Sequence, residues 1–63
     1  MARLVVTTRE TSYTLDDMSE SDIQNLGTLV QSLREEGKSV PENPVIEPRD
    51  DGSYHLIEQP VYG

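Results

Sequence analysis

The sequence has no cysteine, no tryptophan and no phenylalanine, and it has a single histidine, His55. Without cysteine there is no disulfide framework, no Cys-ligated zinc, no iron–sulfur cluster and no thiol nucleophile. Most redox and hydrolytic chemistry goes with them. No stretch reaches the roughly 18 apolar residues of a membrane span, and Leu4-Val5-Val6 after Met1-Ala2-Arg3 is too short an apolar run for a secretory signal. The expected location is therefore a cytoplasm. Positive charge is also scarce. Five Lys or Arg stand against twelve Asp or Glu, giving a formal charge of -7 and a pI near 4.3. Such a surface repels free nucleic acid and anionic membranes and attracts basic proteins.

What is present is enough for one small domain. A chain of 63 residues buries only about 60 % of its unfolded surface. Below about 70–80 residues a natural fold leans on disulfides, a metal or a partner subunit. With no cysteine and one histidine, a partner subunit is the expected staple, which points to a homodimer. Mean hydropathy is -0.60, polar for a globular domain, yet the apolar residues come in patterned runs rather than being scattered.

Residues 2–8, Ala-Arg-Leu-Val-Val-Thr-Thr, are rich in β-branched side chains and read as a strand with Leu4 and Val6 on one face. Residues 11–15 alternate polar and apolar, with Tyr13 and Leu15 sharing a face, and read as a second strand. Thr8-Arg9-Glu10 between them lacks the Gly or Asn of a tight primed turn, so a hairpin and one long bent strand both fit. Asp16-Asp17-Met18 breaks the alternation, and Ser19 is a suitable N-cap with Asp22 three residues on. Ile23, Leu26, Val30 and Leu33, widened by Leu29, then predict one amphipathic helix of about 17 residues, ended by Gly37-Lys38. Gly27 inside it is either tolerated, at about 1 kcal/mol relative to Ala, or closely packed by a neighbour.

Residues 39–44, Ser-Val-Pro-Glu-Asn-Pro, form a proline-stiffened linker. Val45-Ile46-Glu47 and Tyr54-His55-Leu56-Ile57-Glu58 flank Asp50-Asp51-Gly52-Ser53, a strong hairpin signal. Pro48 and Pro60 cannot donate to a sheet ladder, so their strands are edge-like or end there. The expected fold is α+β, a ββαββ unit in which one amphipathic helix covers one face of an antiparallel sheet.

Catalytic constellations are missing from this pattern. His55 stands alone in a strand, where an imidazole is ordinarily a surface or cross-strand residue. The carboxylate pairs Asp16/Asp17, Glu35/Glu36 and Asp50/Asp51 are each adjacent in the chain and expected to be solvated. Asp50-Asp51-Gly52 lacks the downstream Glu of a calcium loop. There is no Gly-rich phosphate loop, and the basic residues are scattered without interleaved aromatics. The expectation is a protein with no catalysis, no cofactor, no metal and no direct contact with nucleic acid.

The distinctive feature is how the negative charge is distributed. Asp16, Asp17, Glu20 and Asp22 form one block with no Lys or Arg inside it, and Glu42, Glu47, Asp50, Asp51 and Glu58 form a second, diluted only by Arg49. Helix N-termini favour acids, turns favour Asp, and acidic surfaces keep small proteins soluble. The same carboxylates can also imitate phosphates. A compact pair of these chains would be roughly 35 Å across, a length over which duplex DNA carries about 20 charges. The pair would carry -14, twice the -7 of one chain. The densities are of the same order, so mimicry and dimerisation support each other. The residues expected to meet a basic partner are Asp16, Asp17, Glu20 and Asp22 first, then Asp50 and Asp51. The dimer contact is expected from the helix stripe or from an edge strand.

In length, in charge, in lacking cysteine and in opening on a short strand run, Met1-Ala-Arg-Leu-Val-Val-Thr-Thr8, the chain resembles the small acidic early host-takeover proteins of large lytic bacteriophages. Within that group it is similar to the Bacillus-phage DNA mimic that occupies the DNA-binding surface of the HU nucleoid protein. The resemblance covers the whole chain in size and charge and rests on no residue motif, so it transfers no functional residue. It implies a homodimer, in a host bacterial cytoplasm, whose acidic surface competes with DNA for a basic DNA-binding protein. Two other readings stay open: an inhibitor of another basic target such as a CRISPR effector or RNA polymerase, and an antitoxin-like interaction module whose acidity is incidental. Salt dependence separates mimicry from an apolar interface.

Overall fold

The computed structural model describes residues 1–60. Two hairpins lie side by side, with the chain between them folded over one face. Strands β1 (Ala2–Thr7) and β2 (Ser12–Met18) are followed by helices α1 (Glu20–Gln24) and α2 (Leu26–Glu35) and then by strands β3 (Pro44–Pro48) and β4 (Tyr54–Glu58). The α+β class and the order of strands around the helical segment agree with the sequence pattern. The four strands make one sheet in the order β2-β1-β4-β3.

Three details differ from expectation. The sheet is mixed, because β1 pairs with β4 in parallel, Leu4 facing Tyr54 and Val6 facing Leu56. The reason is the crossover: the helices and the loop after them carry the chain from one end of the sheet to the other, so β4 runs alongside β1. The expected single helix is two, broken at Asn25 (φ -97°, ψ 79°). Its side-chain oxygen accepts from the Thr28 N–H at 3.4 Å while its carbonyl accepts from Leu29 N–H at 2.9 Å, so Asn25 caps a new helix instead of continuing the first. Finally, β2 extends through Asp16 and Asp17 to Met18, where the sequence pattern suggests a turn. Leu4 faces Leu15 but Ala2 faces Met18, which inserts one extra residue, and Asp17 takes φ 58° to accommodate it. This is a β-bulge, and Asp tolerates the left-handed region better than most residues.

The remaining punctuation follows the residue types. Thr8 closes the first hairpin in place of Gly: its Oγ1 accepts from Thr11 N–H at 3.0 Å and its N–H donates to Thr11 C=O at 2.8 Å. The hairpin, rather than one bent strand, is what forms. Ser19 Oγ accepts from Asp22 N–H at 3.2 Å, capping α1. At the end of α2, Lys38 N–H reaches Leu33 C=O and Gly37 N–H reaches Arg34 C=O, both at 3.0 Å, with Gly37 at φ 77°. That is the Schellman arrangement, and it uses the left-handed freedom of Gly.

Alternation on β1 sends Ala2, Leu4 and Val6 inward to meet Leu56 of β4 and Ile23, Leu29 and Leu33 of the helices. Leu4, Val6 and Leu56 are fully buried. The helix stripe is therefore consumed inside the monomer. The opposite sheet face carries Arg3, Val5, Thr7 and their neighbours and has no helix over it. Gly27 is not closely packed, since a Cβ there would meet nothing within 4 Å. Gly27→Ala is accordingly expected to raise stability by about 0.4–1 kcal/mol by restricting the unfolded chain, read as an upward shift of the urea midpoint with unchanged slope.

Candidate acidic interface

Antiparallel pairing of β1 with β2, and parallel pairing of β1 with β4, bring three chain segments to one end of the sheet: the start of β1, the end of β2 and the start of β4. Asp16, Asp17 and Asp51 line one open hollow there, together with Met1, Ala2, Arg3, Gly52 and Ser53. Residues more than thirty apart in the chain thus share one surface because β1 lies between their strands. Asp50 stands beside Asp51 in the β3–β4 turn and is exposed.

The local geometry fixes each carboxylate differently. Asp16 accepts from Arg3 Nε at 3.0 Å. With side chains 64 % and 65 % exposed, that pair is held weakly and opens at little cost. Asp17 lies in the bulge and takes part in no salt bridge among the described residues. Asp51 is built into the turn. Its Oδ1 accepts from Ser53 N–H at 2.9 Å and from Ser53 Oγ–H at 2.6 Å, while Gly52 takes φ 88°. These bonds from Ser53 hold the Asp51 carboxyl below the usual carboxylate range. Ser53 itself is 7 % exposed, and its hydroxyl is satisfied by this bond.

Glu20 and Asp22 do not join this hollow. They sit in the first turn of α1, and Asp22 lines a separate shallow groove with Met18, Thr28, Leu29 and Ser32. The second acidic block is also divided. Asp51 is at one end of the sheet, while Glu42 and Glu58 line a hollow at the other end with Thr8, Arg9, Glu10, Ser39, Val40 and Pro41. The strand β4 runs the length of the sheet between them. There Arg9 grips Glu58 in a two-pronged pair, Nε–Oε1 3.0 Å and Nη2–Oε2 2.8 Å, which lowers the Glu58 pKa. Tyr13 donates its hydroxyl to Ser39 C=O at 2.5 Å, and its partial burial pushes its pKa up, keeping it a donor. This tie across the helix–β3 loop had no signal in the sequence.

Among the described residues, Arg3 is the one Lys or Arg that lines the hollow. Arg3, Arg9 and Arg49 pair with Asp16, Glu58 and Glu47, Lys38 lies 5.7 Å from the Tyr13 ring centroid, and Arg34 is in the last turn of α2. Asp17, Glu20, Asp22, Asp50 and Asp51 take part in no salt bridge there. Nor do three His, Asp or Glu side chains converge at metal-ligand spacing among those residues. No helix among the described residues is long and apolar enough to cross a membrane.

Depressed carboxylate pKa values have a thermodynamic consequence. Asp51 and Glu58 are ionised more readily folded than unfolded, so their contribution to stability is complete above their ordinary values of 3.8 and 4.5. It is lost as pH falls below them. Asp51→Asn and Glu58→Gln should each flatten the acid side of the stability curve by lowering its neutral plateau, with little change at pH values below both ordinary values, as measured by urea unfolding at a series of pH values.

Compared with known proteins, the chain matches no family model, no curated sequence and no solved structure.

Proposed function

We propose that this protein is an acidic DNA mimic that binds the DNA-binding surface of a basic host protein, for which bacterial HU is the first candidate, and blocks DNA binding there. The observation that carries this reading is the gathering of Asp16, Asp17 and Asp51 around one open hollow, in which Arg3 is the one Lys or Arg among the described lining residues, with Asp50 next to Asp51 in the turn. Carboxylates on a rigid sheet end present fixed negative charge without the entropy cost of ordering a loose tail. A protein that binds DNA by releasing counterions would gain the same term from such a surface.

Magnitude argues for two copies. The chain is 35 Å in its longest dimension and carries -7, about one-third of the roughly 20 charges that duplex DNA holds over that length. One chain already spans the 35 Å expected for a pair, so a homodimer narrows the gap where its two copies lie side by side and bring a second acidic end to the same partner. The protein acts by occupancy, as a binding module without chemistry of its own, in the cytoplasm of the host.

The test is capture from a bacterial lysate on the immobilised protein at low salt, followed by elution with a salt gradient and, separately, with duplex DNA. Release of one or two small basic DNA-binding proteins by DNA supports mimicry and names the target. A bound protein indifferent to both salt and DNA overturns it in favour of an apolar interaction module. Release by salt but not by DNA points to another basic target, such as a CRISPR effector or RNA polymerase, met outside its nucleic-acid site.

A further inference from the structure

We propose that two copies of this chain join along the free edge of β2, antiparallel about a two-fold axis at Thr14, so that two four-stranded sheets become one. The inference names the surface for the dimeric part of the reading above; it does not depend on DNA mimicry.

The surfaces available to a second copy are few. Ile23, Leu29, Val30 and Leu33 are already buried within the monomer, so the helix stripe is spent. The sheet has two edges, β2 and β3. The five residues of β3 begin with Pro44 and end with Pro48, neither of which has an N–H to offer, and prolines at an edge block strand addition. The seven residues of β2 contain no proline. Its outer row of backbone groups is the one open template for another strand among the described residues.

The bulge sets the length and the register. Asp16 and Asp17 together oppose Arg3 in the bulge, and Asp17 at φ 58° twists the edge away beyond Asp16. Pairing that stops short of Asp17, from Ser12 to Asp16, has Thr14 at its middle. Centring the two-fold axis there sets Thr14 against its own mate, Tyr13 against Leu15, and Ser12 against Asp16. Both Tyr13 and Leu15 are half-buried against the core cluster on the helix side, so the pairing would cover the apolar flank that the edge leaves partly open. An aromatic facing an aliphatic is a favourable cross-strand pair. No carboxylate faces a carboxylate: each Asp16 meets an uncharged serine. The contact is isologous and closes after two copies, as a two-fold interface must. The two Asp16 residues would stand about 14 Å apart along the strands, four residues at about 3.4 Å each, giving one particle two acidic ends.

Thr14 is exposed on the open sheet face, which allows a charge-swap test that leaves the core alone. At the axis, Thr14→Lys places lysine directly against lysine, and Thr14→Glu places glutamate against glutamate; like charges in that position are destabilising. Sedimentation equilibrium across a wide concentration range should give the unaltered protein twice its 7.1 kDa. Each variant alone should dissociate at least about tenfold more readily, and an equimolar mixture of the two should return to the dimer mass as a mixed pair, identified by native mass spectrometry. Circular dichroism confirms that each variant is folded. A monomeric unaltered protein, single variants that remain dimers, or a mixture that stays monomeric overturns the proposal. A second reading needs no variant: isotope-filtered nuclear Overhauser contacts between Tyr13 of one copy and Leu15 of the other are expected, and a dimer without them contradicts this edge. These readings come from the protein alone, so their failure is distinct from failure to bind a basic partner.

Discussion

Replacing Asp16, Asp17 and Asp51 together by Asn should weaken binding of the basic partner by about ten- to a hundredfold at low salt. It should also flatten the salt dependence of what binding remains. Where counterion release drives association, each ion pair across the interface contributes about 0.9 to the slope of log affinity against log salt. Three carboxylates made neutral would therefore lower the slope by about 2.7. Asn is the right replacement on structural grounds. It tolerates the left-handed backbone that Asp17 adopts at φ 58°, and its side-chain oxygen can still accept from Ser53 N–H where Asp51 now does. The hollow keeps its shape and becomes neutral at those three positions. Isothermal titration against HU, or against the protein recovered from lysate, at a series of salt concentrations reads both quantities. Unchanged affinity with a folded variant would move the binding surface away from this end of the sheet. The double change Glu20→Gln with Asp22→Asn is the control: both residues lie on α1, away from the hollow, so it should have the smaller effect.

The reason that three of the six residues expected to meet a partner line one hollow, and three do not, is instructive about what a sequence carries. Asp16 and Asp17 are neighbours in the chain, so their proximity was legible. Asp51 joins them only because β4 lies parallel to β1, and nothing local to any residue specifies that pairing. Two hairpins with a connection between them can dock in several orders; the crossover through α1 and α2 decides it. Glu20 and Asp22 read as part of the same block because they follow within a few residues. Yet Ser19 starts a helix, and a helix carries its first turn off the plane of the sheet. A one-dimensional cluster of charge was broken by the change of element in its middle.

Local chemistry was readable where one residue type has one job. Alternation of Leu4 and Val6, the Ser19 cap, the Gly37 stop and the Asp-Gly turn all took the form expected. Legibility failed where a side chain substituted for the expected device. Thr8 closes a hairpin usually closed by Gly or Asn, through bonds from its own hydroxyl. Asn25 interrupts an unbroken apolar periodicity: Ile23 and Leu29 stay buried on either side, so the pattern of burial gives no hint of the break. Asn25 itself, followed by Gly27 and by Thr28 three residues on, was the available signal. Asp17 sits in a strand because the bulge absorbs it, and a bulge leaves little trace in composition.

Leu56→Ala should leave most of the chain unfolded at physiological temperature. Leu56 is 0 % exposed, lies on a central strand, and faces Val6 on one side and Ile46 on the other. Removing a buried leucine costs about 2–5 kcal/mol, toward the upper end where the surroundings cannot collapse into the space. Here they cannot readily do so, because β1 and β3 hold Leu56 from both sides through backbone pairing. Against this stands a total stability of about 3–9 kcal/mol for a chain of this length. The loss is therefore comparable to the whole, whereas the same substitution in a domain three times larger would lower the melting temperature and leave the fold intact. Leu33→Ala, on the helix, should be milder, because α2 can settle toward the sheet as a unit. Urea unfolding followed by circular dichroism compares the two. If the proposed β2 edge joins two copies, raising the protein concentration should recover part of the Leu56→Ala population, since association favours the folded form by mass action. The charge-swapped Thr14→Lys background should remove that recovery. The link between a buried leucine and an exposed threonine would then be measured directly: a core weakened by the lost leucine would regain stability from the strand that a second copy supplies.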